Sequence, residues 1–530
     1  MNANNSLRDM VRLWTLQTAI LACAALLVFW GFYALDYYAL PEARRVISGP
    51  QGLIAQYFAY DPDGLSDAIS SLAGVNAAIF GIVITVVSII VQLSAERYTG
   101  VARMFLRDRI NLNVAAYYVV ACVVSVWLST TLHTNYVPNA TLTAMLSVTT
   151  GGIVIMAPYF GYVFWFLEPS NIVARIRKDS VAAARRGALR QEAAECASAQ
   201  ADTLFALKEL TDIANNSISG RDKIIASASV DALKDVALGS IEIKSQASDR
   251  WFLIGKEIRL NPDFVAMDPE SLTDLEQRRT WVEWQVMRQF LSIYNDALGS
   301  MRDICYVIAI DTRYIGEAAA KTNDAELIQL VLRFMNSYLR STLNAKDVRT
   351  AYNVLNQYRK LVEALLAHGK HTAALTAVKH IKYYGLVGFD MNLNFVTETT
   401  AFDLAAIAQL ANELGSPVEG AMLHEFLELD RPTFARIREK ALVGVRKAQV
   451  KLAAYYLSAG HAQRARAIAQ DMREEPPDRL ASIRAQLESV ENKDFWEIID
   501  RGRNMEYMPA EQREFLNQFF QLLEQESPED

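Results

Sequence analysis

The sequence predicts an all-α membrane protein, four transmembrane helices followed by a large α-helical cytoplasmic domain. Three observations carry that expectation. Four long runs without Asp, Glu, Lys or Arg fall before residue 168. Basic residues gather at one end of each run. The rest of the chain has helical apolar spacing and little β-branched alternation.

The first run, 13–35, is long enough to cross a bilayer. Arg8 and Arg12 precede it, as in a signal peptide, but it ends in Trp30, Phe32 and Tyr33 rather than small residues, which favours an uncleaved anchor. The others are 72–93, 114–132 and 142–167. Arg8, Arg12, Arg97, Arg103, Arg107, Arg109, Arg175, Arg177 and Lys178 fall on one side and only Arg44 and Arg45 on the other, placing both termini in the cytoplasm. The expected order is a cytoplasmic tail (1–12), a membrane domain (13–168), a juxtamembrane helical region (169–320), a further helical region (321–525) and an acidic tail (526–530).

Charge narrows the function classes. Residues 1–178 hold 11 basic and 9 acidic residues, leaving 42 and 51 of the 53 and 60 for residues 179–530. An acidic soluble domain argues against nucleic acid, whose phosphates require Lys and Arg. Cys23, Cys122, Cys196 and Cys305 show neither a pairing pattern nor zinc spacing and read as reduced packing thiols. The absence of charge within the runs disfavours proton-coupled transport.

In the second run Gly81, Thr85, Ser88 and Gln92 share one helical face, which Glu96 continues. Small and hydroxyl residues serve close helix packing, and around an oligomer axis the same stripe lines a pore. Thr149-Thr150-Gly151-Gly152 and Pro158 mark the fourth run either as a hinge or as a packing surface for Cys122, Ser125 and Ser129. Between the first two runs, Asp61-Pro62-Asp63-Gly64 reads as a turn before an N-cap at Ser66 rather than a calcium loop.

From Ala78 to Arg109 the chain reads AIFGIVITVVSIIVQLSAERYTGVARMFLRDR, and from Leu210 to Leu233 LTDIANNSISGRDKIIASASVDAL. Both stretches resemble a bacterial predicted membrane protein family called domain of unknown function 2254, over about residues 70 to 240. The second stretch departs from the family pattern, having neither of its prolines around Ser219-Gly220-Arg221-Asp222-Lys223. The resemblance implies a bacterial inner-membrane protein and supplies no activity.

Beyond Pro169, Arg175, Arg177, Lys178, Arg185 and Arg186 are candidate contacts for anionic lipid headgroups. Helix breaks are expected at Ser219-Gly220, Asn261-Pro262 to Pro269, Gly369, Gly415-Ser416-Pro417, Pro476-Pro477 and Pro509. Lys451 to Pro477 has the helix–Gly460 turn–helix spacing of a tetratricopeptide-like unit, and Leu361 to Leu386 echoes it. An irregular solenoid and a plain bundle both fit. No phosphate-cradling loop or nucleophile elbow is present, and His424-Glu425 lacks the second histidine of a zinc protease, Glu428 standing there. His368 and His371 flank a turn without a third ligand. The expectation is a non-enzymatic, homo-oligomeric inner-membrane protein with no cofactor or metal. Its cytoplasmic helices bind a protein partner or sense a signal, and an ion channel lined by the second helix is the alternative.

Overall fold

The computed structural model describes residues 3–39, 62–97, 101–130, 139–430, 443–495, 497, 500–502 and 504–526, and no strand occurs among them. The chain forms two compact units, Met1–Ile176 and Arg177–Asp530.

The first unit contains α1 (Ala3–Ala39), α2 (Pro62–Arg97), α3 (Val101–Arg107), α4 (Arg109–Thr130) and α5 (Asn139–Leu167). Among the described residues, four segments are long and apolar enough to cross a membrane: Thr18–Leu35, Asp67–Gln92, Arg109–Thr130 and Ala140–Leu167. They overlap the four sequence runs but the helices extend further. α1 is already helical at Ala3, within the expected tail. α2 begins at Pro62, so Ser66 lies inside the helix rather than capping it; proline is tolerated in a first helical turn, where its missing N–H has no intrahelical acceptor. Asp61, Arg44 and Arg45 lie outside the described residues, as does the loop 131–138.

Within this unit α1 packs on α5, and α2 packs on α4 and α5. Leu65, Ile69, Ala121, Leu128, Leu142 and Met145 form a buried apolar cluster. The Thr149–Gly152 stretch is a packing surface. A Cβ at Gly151 would stand 3.0 Å from Tyr117 Oη, and one at Gly152 would stand 3.3 Å from the Tyr118 ring. The Tyr117 and Tyr118 hydroxyls donate to Val148 O (2.6 Å) and Gly152 O (2.8 Å). Two glycines thus let two aromatic rings rest on the α5 backbone.

α6 (Pro169–Leu189) follows α5 after one residue, Glu168. The second unit continues through α7 (Ala193–Ser219), α8 (Lys223–Ile243), and the short α9 (Lys256–Arg259), α10 (Pro262–Val265) and α11 (Pro269–Arg278). Next come α12 (Trp281–Leu298), α13 (Arg302–Lys321), α14 (Ala325–Asn344), α15 (Val348–Ala367), α16 (His371–Asp390) and α17 (Asn394–Glu413). α18 (Glu419–Leu427), α19 (Val443–Ser458), α20 (Ala462–Asp471), α21 (Pro477–Glu488), α22 (Ala510–Arg513) and α23 (Leu516–Glu526) complete it.

From α13 to α17 the chain repeats itself. Each helix has 20 residues, and the starts at 302, 325, 348, 371 and 394 are 23 apart. The turns repeat too. Asn323, Lys346, Gly369, Asn392 and Gly415 all take positive φ, between 54° and 69°. After each, the next amide closes back onto a carbonyl five residues earlier: Asp324 on Ala319, Asp347 on Thr342, Lys370 on Leu365, Leu393 on Gly388 and Ser416 on Ala411. This is the left-handed helix stop that satisfies the last carbonyls. The inward positions Ile308, Val331, Val354, Ala377 and Thr400 keep the same register and are fully buried.

The helices form two layers. α8, α13, α15, α17 and α19 pack side by side in one; α7, α12, α14, α16 and α18 do so in the other. Each helix buries one stripe against the next hairpin, which is the construction of an α-solenoid. Two helices with their turns make a unit of twice 23 residues, longer than the ~34 of a tetratricopeptide. The tetratricopeptide-like reading is therefore replaced by a longer hairpin repeat, although the Gly460 turn between α19 and α20 is present, with φ +79°.

Candidate functional site

The expected face of α2 is uncovered. Gly81, Thr85, Ser88 and Gln92 are exposed, and a Cβ at Gly81 would meet no atom within 4 Å. The Glu96 side chain lies outside the described residues. Among the described residues, therefore, the stripe is not buried by packing; the opposite face is. Leu65, Ile69, Asn76 and Val83 are buried toward α4 and α5. Asn76 Nδ2 donates to Ser125 Oγ (2.9 Å) and Thr149 Oγ1 (3.0 Å), and Ser125 Oγ donates to Ala121 O (2.7 Å). Three helices are tied at one buried polar point, where an unpaired amide facing hydrocarbon is costly.

Near the basic end of these helices, a cavity of about 270 Å³ opens between α2, α3, α4 and α5. Phe80, Val83, Ile84, Val87, Phe105, Leu106 and Tyr159 give it apolar walls, and Ser88 and Asn111 are its polar residues. Asn111 Nδ2 donates to Phe105 O at 2.8 Å, holding α3 against the start of α4.

The candidate headgroup residues divide in two. Arg175 pairs with Asp108 (3.4 Å) and lies 4.3 Å over the Phe166 ring, and Arg177 pairs with Asp235 (3.0 Å). Their positions follow from internal contacts. Lys178, Arg185 and Arg186 are exposed and form no ion pair among the described residues.

A cavity of about 750 Å³ opens in the solenoid at the N-terminal ends of α15, α17 and α19. Tyr352, Phe395, Phe402 and Phe495 supply aromatic surface; Arg349, Glu398, Asp500, Asn504 and Glu506 supply polar groups. One wall belongs to the segment between α21 and α22, which charged groups hold in place. Asp500 accepts from Arg349 (3.2 and 3.3 Å) and Asn353 (3.0 Å), which pulls its carboxyl below the usual range. Arg501 crosses to Asp403, and its NH2 also donates to Tyr352 O (2.6 Å) while the guanidinium stacks 4.0 Å over the Tyr352 ring. Lys447 pairs with Glu506 (2.8 Å), and Lys451 Nζ donates to Met505 O (2.8 Å). Burial pushes Lys451 down to about 8 and raises Glu398, the latter opposed by the Gly444 amide at 3.1 Å and by Lys447.

The histidines are dispersed. His371 Nδ1 meets Ser416 Oγ at 2.9 Å, and His424 lies 3.4 Å from Glu428. No group of three His, Cys, Asp or Glu suited to a metal occurs among the described residues.

Residues 11–202 match the model of the family described as predicted membrane protein (DUF2254). No curated protein and no solved structure matches the chain. The DUF2254 match takes in all four candidate spans and α6 and ends inside α7, so it starts earlier than the resemblance expected from sequence and leaves Leu210–Leu233 outside. The 23-residue repeats and the 750 Å³ cavity lie beyond the DUF2254 region. Asn76 is inside it and was missed. It is the only amide in the N-terminal half of α2, but it interrupts the opposite face from the small residues that drew attention.

Proposed function

We propose that the protein is a non-enzymatic membrane scaffold whose cytoplasmic solenoid binds a segment of a protein partner. The supporting observation is the 750 Å³ cavity at the ends of α15, α17 and α19, with aromatic walls and a few fixed charges, as binding clefts usually have. Solenoids stack hairpins into extended surfaces that serve this purpose. The orientation proposed is N- and C-termini inside a bacterial inner membrane, from the concentration of arginines around Arg107, Arg109, Arg175 and Arg177.

The test is a photo-reactive amino acid placed at Phe395 in the full chain in its native membrane. A discrete adduct that disappears when Tyr352 and Phe402 are changed to Ala supports the reading. Adducts that persist in that variant, or none from Phe395 and Arg349 alike, overturn it.

One observation supports a second reading, a homo-oligomeric ion channel. The Gly81, Thr85, Ser88 and Gln92 stripe is open to a second copy or to an aqueous axis. Unitary currents from reconstituted protein, changed in conductance by Ser88→Leu with Gln92→Leu, would establish it. Silence from folded, oriented protein across voltages and salts would exclude it.

A further inference from the structure

Residues 179–530 carry 42 basic against 51 acidic residues, yet one stretch of this acidic unit presents cations beside exposed aliphatic side chains. The end of α6 exposes Arg185, Arg186 and Leu189. The segment 248–260 is seated next to it, because Ser248 N donates to Ala188 O at 2.8 Å. The Trp251 ring covers Gly187 so closely that a Cβ there would come within 2.3 Å of it. Trp251, Phe252, Ile254 and Ile258 point inward and are buried, whereas Leu253 and Leu260 are 55% and 64% exposed. Lys256 and Arg259 lie between those two leucines.

The cations here are largely uncommitted. Arg185, Arg186 and Lys256 form no ion pair among the described residues, and Arg259 uses only Nε, on Ile254 O at 3.0 Å. The neighbouring acids are partly engaged. Asp249 lies 3.5 Å from Arg279, and Glu195 lies 3.4 Å from Arg190; Glu257 remains exposed. A segment with four inward apolar anchors has no folding reason to turn two leucines outward beside free cations.

We propose that this surface is a second membrane contact, in which Leu189, Leu253 and Leu260 enter the interface of an anionic bilayer while Arg185, Arg186 and Lys256 hold headgroup phosphates. Amphipathic surfaces of this composition bind membranes through apolar burial plus attraction to anionic lipid. α6 follows the last candidate span after one residue, so this surface is tethered to the membrane through a single helix. Tethering makes the contact intramolecular, so a weak surface suffices. The contact would fix how an otherwise repelled acidic domain faces the bilayer.

The test uses the full chain with Cys23→Ser and Cys122→Ser and a spin label at Leu260→Cys. It is reconstituted in vesicles of phosphatidylglycerol with phosphatidylcholine, and in phosphatidylcholine alone. The label is expected to be oxygen-accessible and shielded from a water-soluble nickel chelate in the anionic vesicles, and less so in the neutral ones. Arg185→Gln, Arg186→Gln and Lys256→Gln should each lower the ratio of immersed to water-exposed label about fivefold, the ratio that one basic residue near an anionic surface supplies. All three side chains are exposed, so tryptophan fluorescence should stay that of the folded parent. Equal water exposure in both lipids overturns the proposal. Immersion that vanishes when the protein is diluted within the bilayer also overturns it, assigning the surface to a second copy.

Discussion

Arg501 and Asp403 form a two-pronged ion pair across 98 residues of sequence, NH1 to Oδ1 at 2.6 Å and NH2 to Oδ2 at 3.1 Å, with both side chains almost wholly buried. Arg359 approaches the same carboxylate at 3.2 Å. One carboxylate on α17 thereby joins α15 to the segment beyond α21, whose Asp500, Asn504 and Glu506 line the 750 Å³ cavity.

Breaking such a pair leaves a buried charge alone, at a cost of about 3–5 kcal/mol. Asp403→Asn strands Arg501 and is expected to lose that much stability in the full chain in detergent, read by denaturant titration of tryptophan fluorescence. Arg501→Met should cost less, since Arg359 still faces the carboxylate, and combining the two should cost less than their sum. Additive losses would show that the residues do not act as a pair.

Asn76 makes the prediction for the membrane unit. Hydrogen bonds between membrane helices contribute about 0.6 kcal/mol on average and ~1.7 at most. Asn76→Leu removes two, to Ser125 and Thr149, so a loss near 1 kcal/mol is expected in a steric-trapping measurement in bicelles. A matching loss from Gly81→Leu is not expected, because a Cβ at Gly81 would meet no described atom within 4 Å. If Gly81→Leu proved the more damaging, the stripe would be an interface with another copy.

What the sequence made legible was whatever has a compositional trace. The four spans, the helical class and the breaks at Gly220, Gly369 and Gly415 all follow from apolar length or from glycine. The 23-residue period left no such trace, because Asn323, Lys346, Gly369, Asn392 and Gly415 share a backbone conformation rather than a residue type. The inward positions likewise share burial, running from Ile308 to Thr400. The α2 face was found, but whether neighbours cover it depends on how α4 and α5 dock, and Asn76 decides that. The cavity depends on Arg501 reaching Asp403, a relation between distant segments that no local pattern announces.

The turns offer a direct test of the repeat. A non-glycine residue in the left-handed region costs roughly 1–2 kcal/mol, part of which glycine returns through its freer unfolded chain. Lys346→Gly is therefore expected to stabilise the second unit by about 0.5–1 kcal/mol, and Gly369→Ala to destabilise it by about 1 kcal/mol. No atom lies within 4 Å of a Cβ at Gly369, so any loss there is backbone strain alone. Opposite signs at two positions one period apart, measured by chemical denaturation, would confirm that the turns are equivalent. Equal signs would refute it.

Lys451 sets a pH dependence. Burial holds its ammonium at about 8 in the folded chain against 10.5 when free, with a neutral carbonyl, Met505 O, as its hydrogen-bond acceptor. The folded state favours the uncharged amine, so unfolding takes up a proton between those two values. Stability from this group must then rise with pH across roughly 8 to 10.5, by up to 1.4 kcal/mol per unit, and below 8 the penalty is constant. Lys451→Met removes that titration while leaving Met505 O without its donor. Other groups titrate in both proteins and cancel in the difference. The parent's stability minus the variant's should therefore climb between pH 8 and 10.5 and stay flat from 6 to 8. A flat difference throughout would mean that the Lys451 ammonium is as well solvated inside the protein as outside it.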